Sequence, residues 1–176
     1  MIDIENLRVA IKGKEILNGI NLHLKSGEVY GFLGPNGAGK STTIFALLGL
    51  RAYGSGCISV LGGDPVPDAV SIRRSVGVMP EKSGFYDWMT ARDYLRWYGR
   101  LYDSQPSGKD LGIMLNKVGL GAESHRLIGT YSRGMKRHLA VAQALMAHPR
   151  LLILNEPPTG SSPKVGVKFT TCGWNS

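Results

Sequence analysis

The sequence has only two cysteines in 176 residues, Cys57 and Cys172, and they form no Cys-x-x-Cys pair. That spacing suggests no disulfide framework. Cys57 lies in the apolar run Cys57-Ile58-Ser59-Val60-Leu61 and reads as a small core residue. Long hydrophobic runs are lacking too. The richest apolar stretch, residues 139–154, is broken by Gln143, His148, Pro149 and Arg150, so no segment suits a bilayer-spanning helix. The start, Met1-Ile2-Asp3-Ile4-Glu5, is acidic and has no signal-peptide core. No internal repeat is visible. With 43% hydrophobic and 19% charged residues, the composition excludes a disordered chain. A soluble intracellular protein is the expectation. A chain of this length makes one domain, burying about 70% of the surface its unfolded form exposes.

Acidic residues are the scarcer charge: 13 Asp+Glu stand against 21 Lys+Arg, a net charge of +8. Such a surplus suits an anionic partner, whether nucleotide, nucleic acid or acidic membrane. The basic residues are dispersed, however, with small groups at Arg73-Arg74, Arg92/Arg96/Arg100 and Arg133/Lys136/Arg137. A solvated helix face accounts for the second group at least as well as a nucleic-acid stripe does.

The most informative stretch is Gly34-Pro35-Asn36-Gly37-Ala38-Gly39-Lys40-Ser41-Thr42. It satisfies Gly-x-x-x-x-Gly-Lys-Ser/Thr, the phosphate-binding loop, between an apolar strand at 29–33 and a helix over 41–50. Glycines let backbone N–H groups turn inward around phosphate oxygens, and the helix start adds unpaired donors and a positive dipole end. Lys40 can reach the β- and γ-phosphates, and the Ser41 hydroxyl can ligate Mg²⁺. In the following helix Ile44, Phe45, Leu47 and Leu48 are available for burial.

Elsewhere the period-two pattern predicts strands over 2–9 and 15–24 around a Lys12-Gly13-Lys14 turn, with another strand at 57–61. A short helix is expected at 67–74 and a buried strand at 76–79, ending in Pro80-Glu81. From residue 82 the pattern turns helical. Thr90 caps one helix, 109–118 forms a second, and Ser132 caps a third that runs to His148 before Pro149. The aromatics Tyr94, Trp97 and Tyr98 read as helix packing. Leu151-Leu152-Ile153-Leu154 is the next buried strand, ending at Asn155-Glu156.

This order of elements resembles the ATP-binding subunit of an ABC transporter. Tyr131-Ser132-Arg133-Gly134-Met135 sits where that family has its signature, commonly Leu-Ser-Gly-Gly-Gln; Ser132 and Gly134 are retained. The Tyr-Ser-Arg-Gly-Met form resembles an exporter subgroup whose membrane partners are separate permeases. Residues 151–157 resemble the Walker B strand, which puts Glu156 on the carboxylate that polarises the attacking water. The resemblance extends to about residue 168.

That resemblance implies an α/β fold: a P-loop NTPase core with an antiparallel β subdomain and an inserted helical subdomain, the C-terminal strands missing. Residues 1–81 and 149–163 would form the core with its β part, 82–148 the helical part and 164–176 an atypical tail. It implies ATP and Mg²⁺ as cofactors, with Gly34–Thr42 binding ATP and Ser41, Glu81 and Asn155 near the metal. Ser132 and Gly134 would face the ATP of a partner. The partners implied are a transmembrane permease and a second ATP-binding subunit, the same or different, arranged head to tail, with no nucleic acid. The place implied is cytoplasmic, on the inner face of the cell membrane.

The departures bear on activity. Asn155 replaces the family's metal-holding Asp, Glu81 a common Gln, and Gly160-Ser161-Ser162-Pro163 the usual Gly-Leu-Asp-Pro. Ile11 or a neighbour stands where an aromatic often stacks on adenine, so the base gains apolar contact only. The switch histidine is expected to be lacking, since His23, His125, His138 and His148 all lie upstream of its place. Impaired hydrolysis is therefore expected. The family's segment between the phosphate-loop and Walker B strands is expected to be missing too, so strands 29–33 and 151–154 should each lack a neighbour and the chain should fold poorly. Two other readings stay open: an inactive nucleotide-binding remnant, or an ABC-type ATPase acting on nucleic acid or ribosomes.

Overall fold

Strand alternation builds the first layer. In the computed structural model, which describes residues 2–35, 37–80, 83–102, 104–155 and 166–170, β1 (Ile2–Ile11) and β2 (Lys14–Leu24) form an antiparallel hairpin. Ile2, Ile4, Leu7 and Val9 of β1 are all buried, although their spacing breaks between Ile4 and Leu7. A register shift there absorbs the extra residue: Asn6 turns to φ 46° and its N–H donates to Asn21 Oδ1 at 2.8 Å. β4 (Ser55–Val60) joins the other edge, giving the order β2-β1-β4. Ile58 and Val60 point inward, so the alternate position, Cys57, is exposed. The expectation of a core cysteine is corrected: period two puts it on the outer face.

β3 (Val29–Leu33) leads into α1 (Lys40–Leu47), and α2 (Ala69–Arg74) precedes β5 (Val76–Met79). Of the four apolar residues available on the first helix, Ile44, Leu47 and Leu48 are buried, whereas Phe45 is 43% exposed. The second sheet runs β3-β7-β6-β5, with β6 (Leu151–Asn155) parallel to β5. Between β3 and β6 lies β7 (Gly166–Thr170), antiparallel to both. The expectation that β3 and β6 would each lack a neighbour is thereby corrected. The Gly166–Thr170 segment supplies their backbone partners, pairing Leu33 with Gly166 and Asn155 with Val167.

The helices between β5 and β6 have their own apolar centre. α3 (Ala91–Arg100) starts at Thr90, whose Oγ1 accepts from Asp93 N at 3.1 Å. α4 (Gly108–Lys117) starts with a reciprocal Ser107–Asp110 box, and the hydrogen bond from the Ser107 hydroxyl holds the Asp110 carboxyl below its usual range. α5 (Arg133–Leu145) completes the group. Tyr94, Leu95, Leu111, Leu115, Ile128 and Leu139 pack together here, apart from the larger cluster that joins the antiparallel sheet, α1, β5 and β6. A third cluster, Met79, Ala140, Ala144 and Leu152, joins α5 to the second sheet. Gly77 makes that junction close: a Cβ there would sit 2.1 Å from the Ala144 carbonyl oxygen. No helix among the described residues is long and apolar enough to cross a membrane.

Candidate functional site

The phosphate-loop residues sit between β3 and α1. Gly37 and Gly39 take φ 85° and 86°, left-handed values that favour glycine. Gly39 is the residue that caps α1, and no side chain caps this helix. The first-turn donors of α1 therefore have no side-chain acceptor, the arrangement that suits an anion. Thr43, fully buried, donates its Oγ1 hydrogen to the Gly39 carbonyl at 3.1 Å. Lys40 is folded over its own loop, its Nζ donating to the carbonyls of Gly34 at 2.6 Å and Pro35 at 2.8 Å. Sequence reasoning had aimed this ammonium at a ligand and gave no sign of the fold-back, because both acceptors are backbone atoms of the loop.

Of the residues expected near the metal, Ser41 and Asn155 line one cavity of about 660 Å³ between α1 and the ends of β5 and β6. Tyr98 and Tyr102 also line it. Their hydroxyls lie 3.2 Å apart, and burial raises the Tyr102 pKa above the ordinary tyrosine value. Asn36, Glu81 and Glu156, with the 160–163 stretch, lie outside the described residues. Among those described, no group of three His, Cys, Asp or Glu could hold a metal on its own. A hydroxyl and a carboxamide supply no charge, so they fit Mg²⁺ only as part of a set completed by nucleotide phosphates and water.

The second expected anion site is the start of α5. Ser132 is extended at φ −64°, ψ 164°, and its Oγ accepts from Met135 N at 3.2 Å. Ser132 and Gly134 are both exposed, and neither lines the cavity that holds Ser41 and Asn155. No acidic residue occupies the first turn of α5, which begins with Arg133. The preceding Tyr131 is buried and donates its hydroxyl to the Glu123 carbonyl at 2.7 Å, and burial raises its pKa. A larger residue than the common Leu is accommodated here because its polar end has a partner. Lys136, one turn on, is held by Asp87 at 2.9 Å.

Ile11, on the expected adenine side, ends β1 half-buried and packs on the main core cluster. His23 pairs with Asp3, and His125 and His148 are exposed.

Comparison with known proteins agrees with this architecture. The family model described as ABC transporter matches residues 17–159. An uncharacterized ABC transporter ATP-binding protein, YxlF of Bacillus subtilis, is 39% identical over 93% of the chain and 54% of its own length. The linearmycin resistance ATP-binding protein LnrL of the same organism is 38% identical over 93% and 53%. The bacitracin transport ATP-binding protein BcrA of Bacillus licheniformis is 41% identical over 85% and 48%. The chain thus spans about half the length of the curated relatives it matches. Among solved structures, cbiO1 of Clostridium perfringens, part of the ABC transporter complex cbiONQ, superposes with a TM-score of 0.77. It is 25% identical, over 92% of this chain and 67% of that one. A phosphate loop, an inserted helical group and relatives of this kind, matched across most of the chain, place it in the ABC transporter ATP-binding family.

Proposed function

We propose that this chain binds Mg²⁺–ATP at residues 34–42 and serves as the ATP-binding unit of a transporter with a separate membrane permease. The observation that carries the reading is the uncapped start of α1 behind two left-handed glycines, with Lys40 and Ser41 on its first turn. Phosphate oxygens would accept from that turn, and Lys40 would exchange the Gly34 and Pro35 carbonyls for the β- and γ-phosphates. Ser41 would hold the metal with Asn155 close by, and bound Mg²⁺ would neutralise charge on the phosphates. Glu81 would add an oxygen ligand, and Glu156 would orient the attacking water. Ser132 and Gly134 would meet the ATP of a second, head-to-tail subunit. The permease would hold the unit at the inner face of the cell membrane and select the substrate. The names of relatives concerned with antibiotic resistance and transport support export.

The test is ATP affinity by calorimetry. Lys40→Ala should weaken binding by about 1.5–3 kcal/mol, the usual worth of a charge-assisted contact. Unchanged affinity in a folded variant would remove the site.

Asn155 favours a second reading, that nucleotide is bound but hydrolysed poorly. Its carboxamide keeps the shape of Asp and one carbonyl acceptor while removing the charge. Asn155→Asp should raise any ATPase rate by about 10²-fold, the scale of a misplaced catalytic group, and Glu156→Gln should abolish it. A robust rate in the unaltered chain, insensitive to Glu156→Gln, would contradict both assignments.

A further inference from the structure

The phosphate loop does not stand free above α1; it rests on the antiparallel sheet. A Cβ built on Gly39 would lie 2.3 Å from Leu17 Cδ2 and 3.3 Å from the Ile16 carbonyl oxygen. Leu17 is 1% exposed and belongs to β2, so the hairpin supplies a rigid floor directly under the last glycine of the loop. Thr43 acts on the same residue through hydrogen bonds. Its Oγ1 and backbone N–H both donate to the Gly39 carbonyl, at 3.1 and 2.9 Å. Gly39 is thus pressed by an apolar side chain and held by two hydrogen bonds. Its φ of 86° aims the backbone that leads into α1.

We infer that Leu17 and Thr43 are positioning residues for the phosphate loop, setting the geometry in which Gly39 and the first turn of α1 meet a polyphosphate. The β1–β2 hairpin then does more than complete the core: it fixes the anion site. Thr43 is fully buried and its hydroxyl spans a single turn of helix, where valine or alanine would pack as well were packing its only task. Leu17 stands one residue beyond Ile16, and these two residues supply the nearest neighbours of Gly39, whereas Leu24 of the same strand, equally buried at 1% exposure, is not among them. Packing density gives the floor its leverage, because displacement of one close-packed wall is passed to its neighbour. The inference rests on the proposed ATP site.

Two probes separate that site from its floor: ATP and inorganic tripolyphosphate, titrated into the whole chain. Failure of the unaltered chain to bind either probe would sink the ATP assignment and this inference with it. If it binds, Leu17→Ala should weaken ATP and tripolyphosphate by the same factor, about tenfold or more, since the floor supports phosphates and not the base. Leu17→Met, which refills the volume, should recover most of the affinity. Leu24→Ala should lower the melting temperature comparably but leave affinity within about twofold. Equal affinity losses in Leu17→Ala and Leu24→Ala would reduce Leu17 to a core residue and overturn the inference, as would unchanged affinity in Leu17→Ala. Should Leu17→Ala not fold, Thr43→Val and Thr43→Ser decide. Valine should lose affinity for both probes and serine should keep it; equal binding by the two overturns the role of the hydroxyl.

Discussion

Two helix starts in this molecule are built to different plans, although the proposed function gives both to phosphate. α1 begins at a left-handed glycine with no side-chain cap, above buried Leu17 and with its carbonyl bonded by buried Thr43. α5 begins at an extended Ser132 whose own hydroxyl accepts from Met135 N, and it lies open to solvent. The first leaves its donors to an incoming ligand and obtains its shape from tertiary packing. The second satisfies a donor locally and obtains its shape from the sequence around it. An anion at α1 would therefore complete a site that the fold has already shaped, whereas the start of α5 is satisfied as it stands.

The largest effect should follow from disturbing the packed start. Gly39→Ala forces a left-handed alanine, costing about 1–2 kcal/mol, and drives a methyl into Leu17, adding about 1–3 kcal/mol of overpacking. Where these costs fall on the bound geometry, ATP affinity should drop by roughly 30- to 3,000-fold, at about 1.4 kcal/mol per decade. The same substitution at Gly37, where a Cβ meets nothing within 4 Å, should carry the conformational cost alone. Equal losses at the two glycines, read by calorimetry, would mean that Leu17 contributes nothing and that the α1 start owes its shape to backbone angle alone.

This difference also decides what could be read from sequence. The α5 start was legible because Ser132 and the run after it carry their own capping signal, as Thr90 does for α3. The phosphate loop was legible as a motif, yet its support was not. Leu17 is one apolar residue among many in β2, and nothing in its spacing announces Gly39 as its neighbour. Cys57 was misplaced because an apolar run hides its phase, and only the pairing of Glu5 with Cys57 and Ile4 with Ile58 fixes which side faces inward. β7 was missed although Val167-Lys168-Phe169-Thr170 alternates apolar and polar residues: four positions are the least that signals a strand, and the ladders of β3 and β6 on either side are what define it. Local chemistry survives in a sequence; long-range contact does not.

A middle-sized effect tests how firmly α5 is anchored. Tyr94 of α3 donates its hydroxyl to Gln143 Oε1 at 2.8 Å, tying the two helices together within the apolar cluster. Burial, with smaller contributions from Tyr98 and Tyr86, pushes the Tyr94 pKa up from 10.0 to about 12. The folded value exceeds the unfolded one, so this stability is present in full below pH ~10. It is lost as the pH climbs from there toward about 12. Melting temperature should fall across that window, and Tyr94→Phe should lessen the fall, since Tyr102 and Tyr131, also raised by burial, contribute the rest. At neutral pH the variant should cost about 1 kcal/mol for the lost bond. An unaltered profile in Tyr94→Phe would assign the alkaline loss to another group.

The smallest effect bears on the open start itself. If Ser132 serves α5 chiefly as its cap, Ser132→Ala should destabilise the chain by about 1 kcal/mol, while Ser132→Gly, which tolerates the cap geometry, should cost only a few tenths. Both should leave ATP affinity of an isolated chain unchanged, because Ser132 does not line the cavity shared by Ser41 and Asn155. Under conditions that favour pairing of subunits the ranking should change. There the hydroxyl would be wanted by the partner's nucleotide, so alanine and glycine should weaken ATP-dependent association alike, measured by sedimentation. Glycine that associates as well as the unaltered chain would confine Ser132 to capping. Alanine that lowers ATP affinity of the dilute chain would erase the distinction between the two helix starts, because α5 would then be part of the same site as α1.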